Sequence, residues 1–403
     1  MTVNLINTLS TPLRVVSNLI SAHEKSSGLA PTRFVQDTST NLIPKATFAR
    51  SKADLAENTF LEISESLLVY YVPVLLGEKV FRNIYSKNLA KDEQKLISKP
   101  AVELLNQKNI QNKKLMPVKA AIALGCMLIP LAEYSLNFVK NLLTLNVFNQ
   151  ADFNNIANLK KEKNEDKQHQ ENVKNSAIKN IKIASGIFGA CLAGSLLIAK
   201  KGANSKILQN ISEFILAPGN KLFKNSQKKA DFVNKYFSLD FADNKGKLAL
   251  SKGQLTSCVL IGGAGYFGAS KDRGEQNFKE TLYRFPVVGF YIITGSEMLE
   301  KGFKKILQKI GKCKEIIGKD LNVPEFDQLG DLAKKLSTQK GTKIEAEFKN
   351  LAKQKALITG VPFLFGLGFM GFFVAGASNM FTKYRFDKAN AFKTAPAKQV
   401  VKK

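Results

Sequence analysis

The chain has 403 residues, with 60 Lys and Arg against 33 Asp and Glu, a net charge of +27. Only seven of the basic residues are arginines (Arg14, Arg33, Arg50, Arg82, Arg273, Arg284, Arg385), and they are scattered, which argues against a surface that reads nucleic-acid sequence through guanidinium forks. Four cysteines without a Cys-x-x-Cys pair and two distant histidines, His23 and His169, form no metal-ligand spacing, and no P-loop, H-E-x-x-H or G-x-S-x-G pattern is present.

Residues 1–59 form a polar to amphipathic N-terminal region. Its first 23 residues contain no acid and lack the continuous apolar centre of a secretory signal. A first membrane region follows at 60–199. Ser66–Gly77 is uncharged but has only 12 residues, enough for a buried or re-entrant segment or a tilted span. Ala120–Val139 has 20 residues between lysines and a single charge, Glu133. Ile183–Ala199 is an uncharged window of 17. The connections at 81–119 and 140–182 are charged and read as solvated helices and loops.

Residues 200–252 form a basic extramembrane region. Within it Phe237, Leu239 and Phe241 alternate, "DNKG" supplies a turn, and Leu248 and Leu250 alternate again, which predicts a small β-hairpin over 235–250. A second membrane region spans 253–297, with Gly253–Ser270 uncharged over 18 residues and Phe285–Ser296 over 12. Residues 298–319 predict an amphipathic helix. Phe303, Ile306, Leu307, Ile310, Cys313 and Ile317 form its stripe, and Lys304, Lys305, Lys309 and Lys312 are placed on an anionic lipid surface. Residues 320–355 read as soluble helices. The window 356–382, "ALITGVPFLFGLGFMGFFVAGASNMFT", holds 27 consecutive uncharged residues, about 40 Å of helix and more than a bilayer core requires. A basic tail, 383–403, ends the chain. The fold class expected is all-α: a polytopic helical membrane bundle of four to six apolar segments, with basic extramembrane helices and the one hairpin.

Gly263-x-Gly265-x-x-Gly268 matches a dinucleotide-binding turn. Such a turn needs a strand before it, a helix after it and an acid about 20 residues on. Here "SKDRG" interrupts at once, position 288 is a valine, and Gly366-x-Gly368-x-x-Gly371 repeats the pattern inside the longest apolar window. The glycines are therefore read as helix-packing positions, together with Gly189 and Gly371, through small residues four apart. No cofactor and no metal ion is assigned. Phe60-x-Glu62 before Gly77 and Phe278-x-Glu280 before Gly295 share one spacing, which an internal repeat would produce and which chance in Lys/Phe-rich sequence also produces.

Carboxylates in or beside apolar windows are expensive in lipid and mark candidate functional positions: Glu133, Glu65 and Glu297, with Glu78. The reading preferred from sequence is a non-enzymatic membrane protein, structural or scaffolding, multi-pass in the cytoplasmic or inner membrane. Its partners would be anionic lipid headgroups, a second copy or other membrane helices, and no specific nucleic acid. The alternatives are a transporter or channel using intramembrane glutamates, and a nucleotide-dependent enzyme.

Overall fold

The computed structural model describes residues 29–107, 112–160, 165–244, 246–324 and 328–394; the first 28 residues and most of the basic tail lie outside them. The described chain is almost wholly helical. The principal helices are α1 (Leu29–Thr47), α2 (Lys52–Pro73), α3 (Asn112–Gly125), α4 (Leu128–Phe148), α5 (Lys167–Lys201), α6 (Lys206–Leu216), α7 (Gln227–Phe237), α8 (Lys252–Asp272), α9 (Glu275–Phe290), α10 (Ser296–Lys309), α11 (Leu329–Lys340), α12 (Ile344–Phe365) and α13 (Val374–Thr394). Helix starts are marked as their sequences suggest. Asp166 accepts from Gln168 N (2.9 Å) ahead of α5, and Ser251 accepts from Gln254 N (3.1 Å) in a capping box ahead of α8.

Four stretches are long and apolar enough to cross a membrane: Lys52–Asn88, Lys113–Phe148, Lys167–Asn204 and Ile344–Ala391. They contain the windows at 66–77, 120–139, 183–199 and 356–382. The shortest window belongs to the set because α2 continues past Pro73 through a wider π-type turn, Val74–Phe81, into Asn88. Similar widening occurs at Tyr291–Gly295 and Gly366–Phe373, each about one turn beyond a proline, Pro286 and Pro362. The window at 253–270 lies on α8, and that at 285–296 runs from the end of α9 through the π-type turn Tyr291–Gly295 to the start of α10; neither is among the four. In α8 the reason is composition, since Gly, Ser, Thr and Gln dilute its apolar residues.

Helix α4 is the hub, packed against α8, α5 and α2. The most apolar window of Lys113–Phe148, the stretch that α4 shares with α3, is 78% buried inside the protein, whereas that of α5 is 17% buried, so α5 turns most of its apolar surface outward. The contact between α4 and α8 is made by bare glycines. A Cβ at Gly265 would lie 2.4 Å from Tyr134 O, one at Gly262 2.7 Å from Glu133 Cδ, and one at Gly268 3.1 Å from the Phe138 ring. Gly263 faces α9, where a Cβ would lie 2.0 Å from Phe285 Cζ. Gly371 likewise sits 2.5 Å from Thr40 O of α1. Gly189 differs from these: nothing lies within 4 Å of its Cβ position, so its assignment to helix packing is corrected within this chain.

Two further sequence expectations change. The hairpin is shorter, with Ala242–Asn244 (β1) pairing antiparallel to Lys247–Ala249 (β2). Phe237 ends α7 instead of starting a strand. Asp240 then anchors the chain, accepting from Ala101 N (2.6 Å) and pairing with the buried Lys119 (2.9 Å).

The amphipathic helix also stops early, at Lys309, and Gly311 turns the chain with φ +76°. Leu307, Ile316 and Ile317 bury themselves against Leu329, Ala333, Leu351 and Ile358, so much of the stripe meets protein. Lys304 is buried and pairs with Glu300 (2.6 Å), which removes it from any lipid surface; Lys305, Lys309 and Lys312 remain exposed.

The glycine contacts generate a graded prediction. Gly265→Ala should destabilise the purified protein by about 1–3 kcal/mol, because the obstructing atom is backbone. Gly189→Ala should be neutral or stabilising, by up to about 1 kcal/mol. Thermal unfolding of both variants reads the difference, and equal destabilisation would contradict the packing described.

Candidate functional site

Apolar helices with occasional polar residues bury those residues on whichever face meets a neighbour. On α2 the polar face is Asp54, Glu57, Asn58, Glu62 and Glu65, at spacings of three and four. On α4 it is Glu133, Asn137, Lys140, Asn141 and Thr144. Helix α8 adds Tyr266 and Arg273, and α9 adds Asn277, Glu280 and Arg284. These faces converge and line two cavities that are partly open to the surface.

The larger cavity, about 110 Å³, is bounded by α1, α2, α4, α8 and α9. Glu62, Glu65 and Glu133 line it, with Lys45, Arg284 and Tyr266. Lys45 forms an ion pair with Glu62. Gly262 leaves the room in which the Glu133 carboxyl lies, and Asn137 Nδ2 donates to Gly262 O at 3.4 Å one turn away. The volume accommodates several waters or one small ion, and is well below the roughly 300 Å³ at which sites for drug-sized ligands begin.

The smaller cavity, about 40 Å³, is an ionic lock. Arg273 holds Glu57 through both terminal nitrogens, at 2.8 and 2.5 Å, and Thr144 Oγ1 also donates to Glu57. Arg50 holds Glu280 in the same two-pronged way, at 2.9 and 3.2 Å, and reaches Asp54 with Nε at 3.1 Å. Burial works against the Arg50 charge, but the carboxylates of Glu280 and Asp54 outweigh it and raise its pKa. Lys140 stands 5.3 Å from the centre of the Tyr266 ring, a cation–π contact. Arg284 and Tyr266 line both cavities, so the two lie side by side in the bundle.

The structure thus brings Glu65 and Glu133 together. Glu297 stands elsewhere, paired with Lys301 (2.6 Å) and Lys252, and does not line the cavity. Glu78 serves the hairpin, pairing with Arg82 (2.8 Å) and accepting from Leu248 N (2.8 Å). Residues 263–268 lie in mid-helix, each glycine against a neighbouring helix or ring, not at a strand–turn–helix junction.

Glu57, Glu62, Lys140, Arg273, Glu280 and Arg284 were not singled out as site residues by sequence reasoning. The available signal was helical periodicity: Asp54, Glu57, Asn58, Glu62 and Glu65 fall on one face of α2. Glu62 and Glu280, the acids of the shared Phe-x-Glu spacing, each hold a basic partner from the segment around α1, Lys45 and Arg50.

Removing one member of a buried ion pair leaves the other charge uncompensated, at a cost of about 3–5 kcal/mol. Arg273→Leu should therefore destabilise the protein by that amount, and Glu57→Leu in the same chain should recover most of it. A double-mutant cycle on thermal unfolding checks this; additive losses would show that the pair is not coupled.

No protein-family model, curated protein or solved structure matches this chain. The functional reading rests on the geometry above.

Proposed function

We propose that this chain is an integral, multi-pass membrane protein that binds a small cation or a proton in the cavity between α2, α4, α8 and α9 and conducts or exchanges it. The observation that carries the reading is the convergence of Glu62, Glu65 and Glu133 on one small cavity. A carboxylate among apolar helices is costly unless a partner, water or an ion compensates it, and such residues characteristically line solute paths. Glu65 and Glu133 supply hard oxygen donors on the opposite walls of α2 and α4, and oxygen donors suit a cation or a shared proton.

The four long apolar helices support membrane integration. The outward face of α5, where Ile183, Ile187, Leu196 and Leu197 are each close to half exposed, supports contact with hydrocarbon. The closed lock at Glu57 and Arg273 supports a rigid frame beside the cavity, since every carboxylate there already holds a cation.

A second reading, a structural or scaffolding membrane protein in contact with anionic lipid, is favoured by that same lock, which stabilises helix contacts without any solute. The two readings separate on flux. In vesicles reconstituted with the purified protein, we expect cation or proton flux, reported by an internal pH- or cation-sensitive dye. Glu133→Gln and Glu65→Gln, which keep shape and remove charge, should each lower it at least about tenfold with thermal stability retained. Unchanged flux in both variants would remove the cavity from the path, and no flux in the parent across a cation panel would leave the scaffolding reading.

A further inference from the structure

The chain uses arginine sparingly, so where its guanidinium groups go is informative. Among the described side chains, Arg50, Arg82 and Arg273 each hold a carboxylate. Arg284 and Arg385 hold none. Both flank one lateral groove between α9 and α13, of about 750 Å³, lined by Tyr283, Arg284, Phe373, Ala377, Met380 and Phe381 among others. Its walls are overwhelmingly apolar and openly presented: Met380 is 76% and Phe373 61% exposed.

Arg385 stacks on two of those walls, 5.1 Å from the Tyr283 ring centre and 5.3 Å from that of Phe381. Its Nε, Nη1 and Nη2 are buried without a hydrogen-bond acceptor. Glu275 lies within its field, but that carboxylate pairs with Lys279. Ser378, which also lines the groove, has a buried hydroxyl without a partner. The unmade Ser378 donor is expensive to bury, and the guanidinium of Arg284, which holds no carboxylate, is shaped for two-pronged contact with a phosphate.

The two arginines also share a level along the bundle. Arg284 immediately precedes the uncharged window 285–296 on α9, and Arg385 lies just beyond the uncharged window 356–382 on α13. Where these helices meet, apolar surface gives way to charge, as it does at the boundary between hydrocarbon and headgroups.

We infer that this groove is a specific site for an anionic phospholipid. The acyl chain lies along Phe373, Ala377, Met380 and Phe381, and the phosphate is held by Arg284 and Ser378 in the field of Arg385. Arg284 lines both of the other cavities as well. The inference rests on the membrane reading only in that lipid must reach the groove, and binding is measured separately from flux.

The test is made on the full chain purified in a neutral detergent and titrated with phosphatidylglycerol, phosphatidylcholine or glycerol phosphate. Bound lipid is counted by native mass spectrometry, and stabilisation is read by thermal unfolding. Phosphatidylglycerol should bind in preference to phosphatidylcholine and raise the unfolding temperature. Arg284→Gln should weaken that binding at least about tenfold, and Arg385→Gln by less, because its charge acts without contact. Lys305→Gln, exposed and remote, should change nothing. Ala377→Phe fills the groove without altering charge and should also abolish binding, which keeps the test decisive if an arginine variant fails to fold. Equal binding of the two lipids, undiminished binding by Ala377→Phe, or glycerol phosphate competing as well as the whole lipid would each overturn the inference.

Discussion

The structure depends on how closely α8 approaches α4. Glycine at 262, 265 and 268 leaves no side chain between the two helices, so the carbonyl of Tyr134 and the carboxyl of Glu133 rest almost directly on the α8 backbone. Between helices in lipid, where apolar burial gives little net drive, such contact is a principal source of attraction. It also sets the depth of everything around it. Asn141 reaches the Ala269 carbonyl at 3.0 Å only because the backbones are near, and Arg273, at the far end of α8, is carried onto Glu57 of α2.

Charge is distributed inside the bundle in two ways. Around Glu57 and Glu280 it is closed, with each carboxylate gripped by an arginine fork that matches its geometry. Around Glu65 and Glu133 it is arranged about a void, with Lys45 engaged by Glu62. The closed set fixes three helices in register, and the set around the void leaves room for a small occupant. A bundle that needed only rigidity could have used apolar residues at these positions, often with no loss of stability. The void that Glu62, Glu65 and Glu133 line is what favours a solute over a purely mechanical role.

Much of the fold was legible because uncharged windows are a physical requirement of spanning helices. The windows at 120–139, 183–199 and 356–382 could be read directly, and the one at 66–77 fell short because its helix gains length through a π-type turn after Pro73. Gly265, Gly268 and Gly371 were legible as small residues at close approaches, but Gly189 has the same spacing and no neighbour, since sequence spacing cannot say which face meets another helix. The stripe at 303–317 has helical periodicity either way, and only the presence of Leu329, Ala333 and Leu351 opposite it decides that it faces protein. Of the site, Glu65 and Glu133 stood out because they interrupt apolar sequence. Glu57 and Arg273 did not, because each sits near a helix end where charge is commonplace, and Lys140 did not, because it bounds the window 120–139 and reads as its polar edge; tertiary packing alone buries all three.

The central claim is that these helices lie in a bilayer. Membranes from cells expressing the full chain, washed with alkaline carbonate and then extracted with detergent, test it most directly. The account predicts that the protein stays in the carbonate pellet and enters solution only with detergent. Release into the carbonate supernatant would contradict it.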